Sequence, residues 1–191
     1  PDWYIKSCEK IKYMFPKAHA AAYVTNAFRI AWFKVHIPLA YYAAYYSIRA
    51  KAFDAQYMIF GKEKVKNKMK EIEMKNQKKE ATKAELDMYD DLEIVLEMYE
   101  RGFEFLPVDI YESEASKFKI QDNKLRPPLN SIPGFGTVAA QGIVNARKDG
   151  KFMSIDDLKI RAKIGASGAE LLKQFGCLEG MSQSNQLSLF G

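Results

Sequence analysis

The segment Ser131-Ile132-Pro133-Gly134-Phe135-Gly136-Thr137-Val138-Ala139-Ala140 places two glycines one residue apart, directly before a helix-forming run. Glycine permits a tight turn and lets a backbone approach a ligand closely. Amide N–H groups at the start of the following helix can then hydrogen-bond a phosphate. Arg147, Lys148 and Lys151 follow within reach. At the other end of the chain, Gln186-Leu187-Ser188-Leu189-Phe190 has its own logic. The tail 181–191 is polar with three apolar residues near its end, the composition of a flexible tail that carries a recognition motif. Near the N-terminus, Lys17, His19 and Tyr23 flank an alanine run behind Phe15. A cation stabilises phosphate charge, and rings offer a stacking surface. His19 and Tyr23 stand at i and i+4, so both face one side of a helix.

Other chemistries lack residues. Two cysteines, Cys8 and Cys177, exclude a disulfide scaffold and a four-cysteine zinc site. Two histidines leave few routes to any zinc site. Phosphoryl transfer needs divalent ions held by clustered carboxylates. The pair Asp90-Asp91 reads as solvated in a charged helix, and Asp156-Asp157 as first-turn anions behind Ser154. No residue is assigned as catalytic or as a metal ligand. No Walker-type phosphate loop is present, and Arg29 and Lys34 interrupt the richest apolar stretch, which argues against a membrane span. The start Pro1-Asp2-Trp3 lacks both a methionine and a signal-peptide pattern, which suggests a fragment of a longer protein. The cysteine usage fits a reducing cytoplasm.

The elements that position these groups follow from periodicity. Tyr4, Cys8, Ile11 and Phe15 share one helical face that ends at Pro16. Residues 18–36 predict a second, largely buried helix, and Pro38 opens a third over 38–50. Fifteen of the 25 aromatic residues lie in the first 60 positions, a density that means burial or a stacking surface. Residues 54–76 predict a helix with an outer lysine face (Lys62, Lys64, Lys66, Lys68, Lys70). Thr82 with Glu85 predicts a capping box, a helix to about 101, and Gly102 as its C′ residue. Beyond Phe103, the residues Phe105, Val108, Ile110 and Lys117–Gln121 suggest short strands. Asp122-Asn123 would turn a hairpin, and Pro127-Pro128 would be a stiff linker. Short helices are expected over 129–180.

Charge is uneven. The net charge is +5, and residues 1–60 hold eight Lys or Arg against three Asp or Glu. Residues 61–100 hold nine against eleven, and residues 124–173 nine against four. Basic ends around a mildly acidic centre suit a polyanion such as nucleic acid. The alternative is a solvated surface with a small lysine excess.

The glycine segment resembles a helix-hairpin-helix. Ile132, Phe135 and Val138 would be its apolar anchors and Ala140 its small packing position. That resemblance implies contact with DNA phosphates without sequence preference, through Gly134, Phe135, Gly136, Thr137, Arg147, Lys148 and Lys151. Residues 154–178 resemble a degenerate second copy, with Ser154 capping its helix.

Two further runs extend the likeness. Lys12-Tyr13-Met14-Phe15-Pro16-Lys17-Ala18-His19-Ala20-Ala21-Ala22-Tyr23-Val24 and Arg29-Ile30-Ala31-Trp32-Phe33-Lys34-Val35-His36 resemble the fingers of bacterial C-family replicative DNA polymerases. With Phe103-Glu104-Phe105-Leu106-Pro107-Val108-Asp109 and the terminal pentapeptide, the chain resembles the C-terminal part of the PolC-type alpha subunit of bacterial DNA polymerase III. The resemblance implies a mostly α fold with a small β element. It also implies residues 1–101 as part of the fingers, 103–180 as a duplex-binding region with the helix-hairpin-helix at 129–180, and 181–191 as a flexible clamp-binding tail. Lys17, His19, Tyr23 and Phe15 would meet the incoming deoxynucleoside triphosphate. Gln186–Phe190 would grip the ring-shaped sliding clamp (the beta ring). Primer-template DNA is the expected substrate. Magnesium belongs to the full-length parent, whose palm aspartates lie upstream, so this segment alone is expected to be inactive. A non-catalytic DNA- and clamp-binding module, or a helix-hairpin-helix repair factor, would use the same residues. Paired aspartates upstream of Pro1 would separate these classes.

Overall fold

A computed structural model describes residues 1–10 and 16–184. Phe15 and the pentapeptide Gln186–Phe190 lie outside the described residues. The chain divides into two compact units, Pro1–Tyr41 and a second that begins at Tyr42. The fold is mostly α with one small two-stranded sheet.

The first unit holds α1 (Asp2–Lys10), α2 (Lys17–His36) and the first turn of α3 (Pro38–Ile48). Lys17 follows Pro16, whose fixed φ suits a helix entry. Ile37 leaves helical geometry at φ −136°, as the residue before a proline tends to, and Pro38 starts α3. The expected burial of residues 18–36 does not hold, because no residue of α2 is buried. Phe28 is 73% exposed and Tyr23 61%. Composition shows that a surface favours burial. It does not say whether the covering surface belongs to the same chain.

The second unit is built on aromatic packing. Tyr42 is fully buried and Tyr46 nearly so. The Tyr46 ring meets Phe53 and Phe118 at 5.4 Å and Phe105 at 5.7 Å between centroids. Its hydroxyl donates to the Ile94 carbonyl, and burial pushes its phenol well above the usual range. These rings join α3 to α6 (Lys83–Glu100) and to the extended chain after it.

Helix 54–76 is not continuous. The one-turn α4 (Ala55–Met58) stops, Gly61 takes φ +99°, and α5 (Lys62–Gln77) restarts. The Tyr99 hydroxyl fastens this break, donating to the Met58 carbonyl and accepting from the Gly61 amide. The lysine series also does not form one face, since i, i+2 spacing turns about 200° each time. Lys62 and Lys66 pair with Glu100, Lys68 pairs with Glu71, and Lys64 lies over the Phe60 ring. The Thr82–Glu85 capping box forms as expected, and Gly102 takes φ +81° past the end of α6. Asp91 is not solvated. It is 5% exposed, accepts from the Ala52 amide at 3.0 Å, and burial raises its pKa.

β1 (Lys119–Gln121) and β2 (Lys124–Arg126) pair antiparallel, with Ile120 opposite Leu125. Asp122 and Asn123 both have positive φ (52° and 57°), the requirement of a type I′ turn. Residues 103–110 form no strand and contribute only an isolated bridge, Phe105 to Leu125. Pro127-Pro128 is buried rather than a free linker, packed just ahead of the hairpin.

Candidate nucleic-acid interface

A single 3-10 turn, Leu129–Ser131, leads into the glycine segment. The Leu129 and Asn130 amides donate to the carbonyls of Glu114 and Ala115, which anchors this turn. The Phe135 amide then donates to the Ile132 carbonyl at 3.0 Å, with Pro133 and Gly134 between them and Gly134 at φ +79°. That is a type II turn, with proline at its second position and the obligatory positive φ at its third. Ile132, Phe135 and Ala140 are buried, as expected of anchors. Val138 is not an anchor, being 90% exposed on the first turn of α7 (Thr137–Ala146).

Gly136 is the N-cap of α7 and supplies no side chain to satisfy the first amides. These N–H groups also carry the positive end of the helix dipole. Gly136 itself has ordinary extended geometry, φ −71° and ψ 154°, and an added Cβ would meet nothing within 4 Å. Nothing inside the molecule therefore demands glycine at 136. The turn demands it at 134. The bare face of Gly136 leaves the amides of Thr137 and its neighbours accessible to an anion. Thr137 is exposed and accepts from the Asn130 side-chain amide at 3.2 Å, which ties the two sides of the hairpin together.

A second pair of short helices packs against the hairpin. They are α8 (Ile155–Ala162) and α9 (Ala166–Gln174). Ser154 caps α8 by accepting from the Asp157 amide, as expected. The left-handed turn residue here is Lys163 at φ +54°, not a glycine, which marks this copy as divergent. Phe135 packs on α9, where a Cβ at Gly168 would come within 3.3 Å of its ring. α7 and α8 cross so closely that a Cβ at Gly142 would stand 2.2 Å from the Ala162 carbonyl oxygen.

The three basic candidates differ in their surroundings. Arg147 donates to the carbonyls of Ile110 and Ser113, at 3.0 and 2.6 Å, and so holds the loop before the sheet. Lys148 and Lys151 are exposed. Arg161, which sequence reasoning missed, organises the loop that bears them. It donates to the carbonyls of Ala146, Gly150 and Lys151, pairs with Asp157 at 3.2 Å, and lies over the Phe152 ring. No local pattern marks such a residue, because its acceptors are backbone carbonyls 10 to 15 positions away. Cys177 is also inward, its thiol facing the Val108 carbonyl and pushed up to about 12 by burial. At neutral pH it stays protonated and inert.

In the first unit, Lys17 is the exposed first residue of α2. The His19 and Tyr23 rings meet edge to face at 4.4 Å, so the i, i+4 pair does share one side. Among the described residues, no three His, Cys, Asp or Glu side chains gather as metal ligands. No described helix is long and apolar enough to cross a membrane.

Comparison with known sequences matches residues 102–187 to the helix-hairpin-helix motif family. Over the whole chain, the PolC-type DNA polymerase III of Bacillus subtilis is 53% identical across 190 residues. Those of Caldanaerobacter subterraneus subsp. tengcongensis and Clostridium perfringens are 52% and 51% identical across 190 and 191 residues. Each alignment covers 100% of this chain and 13% of the relative, so the chain spans about an eighth of the length of the proteins it matches.

Proposed function

The chain belongs to the PolC-type DNA polymerase III family, and from that premise we propose that it is the segment by which a replicative DNA polymerase holds its duplex, meets incoming nucleotides and attaches to its clamp. The observation that carries the duplex assignment is the glycine hairpin. Its type II turn presents an uncapped helix start, and Gly136 leaves no Cβ in the way. Phosphate oxygens accept hydrogen bonds from such amides, and phosphates carry no base information, so binding is independent of sequence. Lys148 and Lys151 add charge from the next loop. Arg147 acts chiefly as the loop's internal fastener.

The experiment is titration of the 191-residue chain with unrelated duplexes across a salt series. Affinity should be equal among sequences, and log K should fall linearly with log salt, by about 0.9 per neutralised phosphate. A strong sequence preference, or no salt dependence, would overturn the reading.

Lys17, His19, Tyr23 and Phe15 are proposed to border the nascent base pair, and Gln186, Leu187, Ser188, Leu189 and Phe190 to enter a pocket on the clamp. The clustered carboxylates for magnesium, and hence catalysis, are assigned to the parent outside this chain. In that reading the isolated chain extends no primer, and the parent works in the cytoplasm. A clamp peptide of five residues buries little surface, so its solo affinity should be about micromolar. On a polymerase already holding DNA the contact is intramolecular and raises processivity. One primer-extension assay on the full-length polymerase tests both proposals. Deleting 186–190 should shorten clamp-dependent products and leave clamp-free synthesis unchanged. Lys17→Ala should raise the nucleotide KM more than the primer-template KM. Equal losses with and without clamp would remove the tail from the clamp assignment.

A further inference from the structure

The hairpin forms one wall of a groove of about 1040 Å3, lined by residues from Asn130 through Gly136. The opposite side comes from the loop after α3, which contributes Arg49 and Lys51, and from α6, which contributes Asp87 and Asp90. The groove is at the upper end of small-ligand pocket sizes and has room for a stretch of polymer backbone.

The loop that carries Arg49 and Lys51 is held from below. The Ala52 amide donates to the buried Asp91 carboxylate at 3.0 Å. Phe53 sits in the aromatic core, its ring 4.9 Å from Phe118 between centroids. Asp54 accepts from the Gln56 amide and caps α4. On the N-terminal side the Arg49 amide donates to the Tyr45 carbonyl at 2.7 Å, so the backbone is held on both sides while the Arg49 and Lys51 side chains stay exposed. Among the described residues, neither cation is in an ion pair, although Asp87 and Asp90 line the same groove. Two cations on a fixed loop, facing a hairpin with open amides, make a surface for a chain of phosphates. The exposed carboxylates on α6 repel the same chain.

We propose that Arg49 and Lys51 form a second phosphate contact, across the groove from Gly136, for the backbone of the duplex that the hairpin holds. This proposal rests on the duplex-binding reading of the hairpin and extends it to residues far away in sequence. Neither cation touches a base edge, so the contact adds affinity and orientation without sequence preference.

The test uses the 191-residue chain and a labelled 20-base-pair duplex of arbitrary sequence, with the matching single strand as a second probe. The variants are the double change Arg49→Ala with Lys51→Ala, the swap Arg49→Lys with Lys51→Arg, the pair Asp87→Asn with Asp90→Asn, and Gly136→Val. Thermal unfolding confirms that each is folded. The alanine pair should lower the salt slope for duplex by about 1.8 and weaken binding roughly tenfold at low salt. The swap should keep the wild-type slope, because a phosphate reads either residue as a positive charge. The asparagine pair should strengthen binding. If the alanine pair leaves slope and affinity unchanged while Gly136→Val weakens binding, the groove contact is wrong and the hairpin reading stands. If Gly136→Val has no effect either, the hairpin reading itself fails. A loss confined to the single strand would overturn the duplex assignment of the groove.

Discussion

Gly136→Val should bind duplex DNA roughly 100-fold more weakly than the wild-type chain and melt at nearly the same temperature. The stability half of this expectation is local. Gly136 sits at φ −71° and ψ 154°, a region that β-branched residues favour, and a Cβ there meets nothing within 4 Å. Valine is a poorer N-cap than glycine, but it also restricts the unfolded chain by about 0.4–1 kcal/mol, and the two effects nearly offset. The affinity half follows from reach. A branched side chain covers the first amides of α7 and holds a phosphate out of hydrogen-bonding range. Hydrogen bonds to a charged group contribute about 1.5–3 kcal/mol each, so losing one or two gives the stated factor. Gly134→Val is the contrasting control. Its φ of +79° is strained for valine, so both stability and binding should fall. Duplex titration beside thermal melts separates the two. Wild-type affinity in a folded Gly136→Val chain would show that the amides do not carry the contact.

Gly142→Ala should be among the most destabilising single changes in the second unit, even though alanine is the better helix former. The propensity gain is about 1 kcal/mol. Against it stands a Cβ placed 2.2 Å from the Ala162 carbonyl oxygen and 3.3 Å from its carbon. The neighbour is backbone in the last residue of α8, so relief requires α7 and α8 to separate. That separation loosens the packing around Ile143 and Leu158, both fully buried. Overpacking costs typically about 1–3 kcal/mol and more where backbone must shift, so a net loss near 3 kcal/mol is expected. Urea unfolding of wild type and variant measures it directly. Duplex affinity should fall in parallel, since α8 leads through the Lys163 turn into α9, on which Phe135 packs. A variant as stable as wild type would mean that the helices cross less closely than the structure indicates.

These two glycines show what different kinds of signal can reveal. One stands just before a helix start and the other inside the same helix. Gly136 belonged to a recognisable pattern. Gly142 is an isolated glycine in a helix interior, a composition that hints at close packing without naming the partner. The exposed α2 teaches a related lesson. Its alanines and aromatics have the composition of a core, yet in this chain Phe28, Val35 and Tyr23 face outward.

By itself the sequence determined whatever is decided within a few residues. The capping box at Thr82 and Glu85 depends on a four-residue span, and the type I′ turn depends on Asp122 and Asn123 alone. The turn at Pro133-Gly134, the burial of Ile132 and Phe135 and the family likeness were legible for the same reason. Tertiary structure decided the features whose partners lie far along the chain. Asp91 became buried because the Ala52 amide, 39 positions away, came to meet it. Arg147 turned inward to carbonyls at 110 and 113, and Arg161 closed over the loop that precedes α8. Val138 stayed exposed although its residue type suggested an anchor. A long cation or a lone carboxylate can satisfy itself in water or on any nearby carbonyl. Which of these it does is settled only when packing brings one of them within hydrogen-bonding distance.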